Sequence, residues 1–182
     1  PIEGLPSVTH SDQLAQARQC ASDLTLAVPS LKNDVDSIVS ALTSQRPNET
    51  SKVKQPCTIH NDFHWNQLRG RPDRLTLLDF ERCALGDPLT DVANFTTQLS
   101  MLAVRGDVDV SAGEASAWAA SFLDAWRSTT GSDVDDARMR WHSAITLLVL
   151  ARGMMRHLRR GWPEIVEHCI RRAAEATAPR DG

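Results

Sequence analysis

Thr58-Ile-His-Asn-Asp-Phe-His-Trp-Asn-Gln-Leu68 and, after a short polar interval, Leu77-Leu-Asp-Phe-Glu-Arg-Cys-Ala-Leu-Gly-Asp-Pro88 decide how the chain folds. Each follows or opens with a short β-favouring run and then delivers a carboxylate, Asp62 in the first and Asp79 in the second. Gly70-Arg71-Pro72-Asp73 between them is turn material. The spacing predicts a small hairpin of residues 67–69 against 75–78, with a third short strand at 57–59 and a long loop before the hairpin. Both acids then lie at strand ends, where side chains leave the ladder and face a cleft. Two histidines, His60 and His64, two amides, Asn66 and Gln67, and a further acid, Glu81, fall within reach of them.

Outward from this centre the pattern is helical. Leu14, Ala17, Ala21, Leu24 and Val28 recur at three to four residues and predict a helix from Ser11, ended by Pro29. Ser30 is the expected cap of a second helix carrying Leu31, Val35, Ile38 and Leu42 on one face. Residues 1–9 read as a linker. After Gly86, Asp87 is expected to cap a helix with Pro88 at its first position and Val92, Phe95, Leu99 and Leu102 inward. A loop follows from Arg105 to Ser111, then a helix marked by Trp118, Phe122 and Trp126 that stops near Gly131. A long helix spans 135–160, and Gly161-Trp162-Pro163 separates it from a last one over 164–176. The expected architecture is α+β and mainly helical, about six helices and three short strands.

With 182 residues, 41% hydrophobic and 24% charged, the chain has the composition of one globular domain over 1–182. A net charge of −3 gives no bulk attraction to nucleic acid or to a membrane surface. No apolar run approaches the roughly 18 residues of a membrane span. Cys20, Cys57, Cys83 and Cys169 have no CxxC or zinc-like spacing and are expected as reduced thiols of a cytoplasmic protein. The Asn48-Glu49-Thr50 sequon is read as chance.

The order His60-Asn61-Asp62, Gln67 five residues on, a hairpin, Leu77-Leu78-Asp79-Phe80, Gly86-Asp87-Pro88 and Asp91 opening a helix resembles one known group. It is similar to the catalytic and metal-binding loops of the aminoglycoside phosphotransferase and choline kinase family, relatives of the protein kinases. Their usual pattern is His-Gly-Asp with Asn five residues later, then hydrophobic-hydrophobic-Asp. The resemblance covers about Ile59 to Leu99 and implies a protein-kinase-like C-terminal lobe whose hairpin carries the catalytic and metal loops. It implies ATP as phosphate donor, Mg²⁺ as cofactor and a small-molecule hydroxyl as acceptor (aminoglycoside, sugar, amino alcohol or similar), because phosphoryl transfer needs chiefly positioning and charge neutralisation.

Carried over residue by residue, the resemblance makes Asp62 the catalytic base and Asp79 the principal metal ligand. His60, hydrogen-bonded to Asp91, organises the loop, and His64 either orders it or touches phosphate. The chain departs from the pattern at the amide. Gln67 stands where Asn is usual, as it does in the maltokinases, and Asn66 one residue earlier is the alternative ligand. Glu81 is assigned to substrate or a second metal.

The family's nucleotide lobe has no counterpart here: the lysines are Lys32, Lys52 and Lys54, none in a Val-Ala-Ile-Lys type strand, and no Gly-rich phosphate loop precedes the site. The chain, which starts at Pro1, is therefore expected to be the C-terminal lobe of something longer, its partner being the missing ATP lobe, and to transfer phosphate poorly or not at all alone. Two other readings remain. One is a non-catalytic kinase-like binding module; the other is a metal-dependent phosphohydrolase built on His60, Asp62, His64 and Asp79. Acceptor identity and oligomeric state are not legible.

Overall fold

A computed structural model describes residues 4–47, 57–71, 73–132 and 134–179. Among them are seven α-helices and four short strands, so the chain is mainly helical, with two small antiparallel sheets. The sequon at 48–50 lies outside the described residues. Contacts within the chain gather into two compact units, one of residues 1–8 and 52–135, the other of 9–51 and 136–182.

In the second unit, α1 (His10–Ala27) and α2 (Lys32–Ser44) pack with α6 (Asp136–Arg156) and α7 (Trp162–Thr177). Helix α1 begins with a reciprocal cap: the Thr9 hydroxyl accepts from the Asp12 N–H while the Asp12 carboxylate accepts from the Thr9 N–H. Ser30 does not cap α2 as expected. Pro29–Leu31 instead forms a turn of 3₁₀ helix that runs straight into α2, and the capping position falls to Leu31, which has no side-chain acceptor. The stripe of α1 buries Leu14, Ala17 and Leu24, and Trp141 from α6 is fully enclosed, its indole N–H donating to the Leu42 carbonyl at 2.9 Å. That bond satisfies the one polar atom of the ring, which makes full burial of a Trp tolerable. Of the arginines along α6, Arg152 is not on a freely solvated face: its guanidinium pairs with Asp23 of α1. Helix α6 ends at Arg156, short of the expected 160. Leu158 then takes a left-handed φ of 46° and Gly161 one of 70°, turning the chain into α7 with Pro163 in its first turn.

In the first unit, β1 (Cys57–Ile59) pairs antiparallel with β4 (Ala84–Gly86), and β2 (Leu68–Arg71) pairs antiparallel with β3 (Arg74–Leu77). The hairpin is where its residue types indicated; β4 was unforeseen because three residues ending in Gly give no period. Residues 5–8 are not a plain linker. Val8 N–H donates to the Leu85 carbonyl and Leu85 N–H to the Pro6 carbonyl, both at 2.8 Å, so this segment lies along β4. Gly70 sits at φ 130°, and a Cβ there would meet the Arg74 carbonyl oxygen at 2.1 Å, so only Gly closes this turn. Helix α3 (Leu89–Ser100) has Pro88 at the capping position, one residue later than expected, and the Asp87 carboxylate accepts the Leu89 N–H at 3.0 Å. A four-residue α4 (Leu102–Arg105), within what was read as the end of one helix, is the seventh helix. Helix α5 (Ala112–Thr130) packs on α3 and ends at left-handed Gly131.

Candidate functional site

The loop between β1 and β2 is held from below by aromatic packing. Phe63 stacks on Phe95 of α3 at 4.6 Å between ring centroids, Phe95 meets Phe122 of α5 at 4.4 Å, and Trp65 packs against the same cluster. Asp62 and His64 alternate with these two rings. His64 is in extended backbone, φ −148° and ψ 167°, so polar and apolar side chains go to opposite sides. Sinking Phe63 and Trp65 thus turns the His64 ring the other way.

The entry to the loop is fixed by Asp91. Its carboxylate accepts the backbone N–H of His60 at 2.6 Å and of Asn61 at 2.8 Å. The expected His60–Asp91 bond therefore exists through the backbone and not the ring, whose Nε2–H donates to the Leu78 carbonyl at 2.8 Å. Burial pushes the Asp91 carboxyl above its ordinary range, and the two N–H groups pull against that. Asn61 takes φ 61°, which explains why Asn stands where the related motif has Gly: among side-chain-bearing residues it enters this region most easily.

The second loop is brought to the first by the base of the hairpin. Leu68 pairs with Leu77, and one residue further out the Leu78 N–H donates to the Gln67 carbonyl at 2.9 Å. Asp79 follows at φ 64°, a backbone that costs a non-glycine residue about 1 kcal/mol and that collects at functional loops. Its Oδ2 lies 3.1 Å from the end of the Gln67 amide. That amide is 3.5 Å from His64 Nε2, and the same ring nitrogen is 3.9 Å from Asp62 Oδ1. Asp62, His64, Gln67 and Asp79 thus form one continuous cluster. Burial holds the His64 pKa below its ordinary value, with nearby Arg105 acting in the same direction and Asp62 opposing.

Other sequence candidates are not gathered in. The Asn66 side chain makes no hydrogen bond among the described residues; its N–H donates to His64 Nδ1 and its carbonyl accepts from Arg69. Glu81 is exposed on the turn after Asp79, and no hydrogen bond or ion pair joins it to the cluster among the described residues. No hydrogen bond joins His60 to this cluster among the described residues: its Nε2 is taken by the Leu78 carbonyl, and its buried Nδ1 has no hydrogen-bond partner. Arg69 was missed: its Nη1 donates to the carbonyls of Asn66 and Leu68, at 2.7 and 2.9 Å, clamping the turn that carries Gln67. An Arg directly after a strand-starting Leu gave no signal of this. A cleft of about 610 Å³ lies against the loop on the side of His60, Phe63 and Phe80, with Trp126 also in its wall. Asp62, His64, Gln67 and Asp79 do not line it, so the acids look out over a different surface. Trp141 is core and Trp118 is half exposed.

A carboxylate, a histidine, an amide and a second carboxylate thus come together from two loops of a mainly helical chain with two small sheets. The chain matches the model of the phosphotransferase enzyme family over residues 3–142, and it belongs to that family. No curated protein matches it. Among the described residues no helix is long and apolar enough to cross a membrane.

Proposed function

We propose that the chain carries the acceptor and metal side of an ATP-dependent small-molecule kinase, and that it forms the C-terminal lobe of that kinase-like fold. The observation that carries this reading is the convergence of Asp62, His64, Gln67 and Asp79, from two loops, onto one cluster. Asp62 is the base. Its carboxylate orients the acceptor hydroxyl and accepts the proton that hydroxyl loses as its oxygen bonds to phosphorus.

Mg²⁺ prefers hard oxygen donors; Asp79 supplies a carboxylate, and the Gln67 amide, whose nitrogen donates to Asp79 at 3.1 Å, would supply its carbonyl oxygen when turned over, one methylene more than Asn keeping the same donor atom. These residues fit the ion and would hold it. Bound there, it would neutralise phosphate oxygens. Asn66 is the weaker candidate because its side chain is not turned to Asp79 by any hydrogen bond, and Glu81 is free to meet substrate. Asp91 and His60 keep the loop entry in place, and Arg69 does the same for the turn at Gln67.

The acceptor is a hydroxylated small molecule. ADP release from ATP and Mg²⁺, measured on the protein at its full encoded length against a panel of such acceptors, tests the reading. Acceptor-dependent release that falls by about 10³-fold in Asp62→Asn supports it, since base catalysis is worth roughly 10²–10⁴-fold. Release indifferent to both Asp62→Asn and Asp79→Asn would contradict it.

A further inference from the structure

Two side chains meet the amide nitrogen of Gln67. It donates to Asp79 Oδ2 at 3.1 Å and lies 3.5 Å from His64 Nε2. The other nitrogen of that ring, Nδ1, accepts the Asn66 backbone N–H at 3.2 Å. A ring nitrogen that accepts carries no proton, so the ring proton is on Nε2, the nitrogen facing Gln67. Asp62 Oδ1, at 3.9 Å, is beyond hydrogen-bond reach of that N–H.

The Gln67 atom therefore faces a donor on one side and a carboxylate on the other. With the amide nitrogen there, as the structure has it, Asp79 is satisfied and two N–H groups oppose each other at His64. With the amide turned over, the carbonyl oxygen satisfies His64 and two oxygens oppose each other at Asp79. A cation shared by the amide oxygen and the carboxylate removes the second conflict, and it does nothing for the first. The two orientations of the amide thus answer to different conditions, and His64 favours the one a cation needs.

We propose that His64 is a positioning residue for the metal: its Nε2–H holds the Gln67 carbonyl oxygen beside Asp79, so that the amide presents oxygen to the cation. This rests on the assignment of Asp79 and Gln67 as metal ligands. It also gives the Gln-for-Asn departure a partner, since the longer amide reaches the ring of His64. Groups that hydrogen-bond to a metal ligand typically alter metal affinity by 10- to 100-fold.

A double-mutant cycle separates orientation from mere loop support. Mn²⁺ binding to the chain, read from the free-ion signal in electron paramagnetic resonance, is measured for the native sequence, His64→Leu, Gln67→Glu and the pair. Glu presents oxygen whichever way it turns. His64→Leu is expected to weaken binding about tenfold when Gln67 is present and to leave it unchanged when Glu replaces it. Equal losses in both backgrounds, or no loss in either, would overturn the proposal. If His64→Leu fails to fold, nitrogen NMR of the native ring decides: a proton on Nε2 supports the proposal and a proton on Nδ1 alone overturns it. Asp79→Asn distinguishes the two levels. Mn²⁺ affinity unchanged by Asp79→Asn overturns the metal assignment and this proposal together, whereas affinity lost there with equal His64 effects overturns this proposal alone.

Discussion

Asp91 carries more of the loop than its place in the sequence suggests. One carboxylate satisfies the N–H groups of both His60 and Asn61, and the second of these is held in left-handed backbone. Asp91→Asn keeps one acceptor oxygen and turns an NH₂ toward the other N–H. The expected cost is about 1–3 kcal/mol in denaturant unfolding, the penalty of a buried donor left unpaired. A loss near zero would show that the loop entry does not depend on this residue. The acids themselves were legible because a carboxylate at the end of an apolar run, with a second one a hairpin later, is a local pattern. His60's choice of the Leu78 carbonyl over Asp91 was not, because it depends on where a ring lies after folding and on a backbone atom that no residue letter reveals.

At the scale of elements, the hairpin and most helices follow from residue type, since Gly70 and the stripes of α1, α2 and α3 are local signals. What the sequence hid were pairings across long separations. Strand β4 exists because β1 and residues 5–8 lie beside it. The ion pair of Asp23 with Arg152 joins α1 to α6 and reaches across 129 positions of sequence. Hydrogen bonds from Arg152 and Gln19 hold the Asp23 carboxyl below its ordinary range. A depressed carboxyl stabilises the fold above its unfolded pKa, and that stabilisation is lost as pH falls through the folded value. Thermal unfolding followed from pH 5 down through the region below the ordinary value of 3.8 is thus expected to show a loss of stability. Part of that loss should vanish in Asp23→Asn. An identical acid profile in the variant would mean that the pair contributes nothing measurable, the common outcome for exposed pairs.

For the whole molecule, the family match over residues 3–142 includes both loops of the site and the helices α1 to α5. The class of chemistry was readable because its residues cluster in sequence between His60 and Asp91. The acceptor was not, because no spacing among the residues after Leu99 singles out side chains for a ligand. The claim that unites these scales is that Asp62, His64, Gln67 and Asp79 form one metal-bearing site. Paramagnetic broadening by Mn²⁺ tests it most directly, with the chain labelled for NMR and the ion added at substoichiometric levels. The side-chain amide of Gln67, the ring of His64 and the backbone of Asp79 are expected to broaden first, and Asp79→Asn should abolish the effect. Broadening confined to other acids such as Asp107 and Asp109, with Gln67 and His64 left sharp, would contradict it.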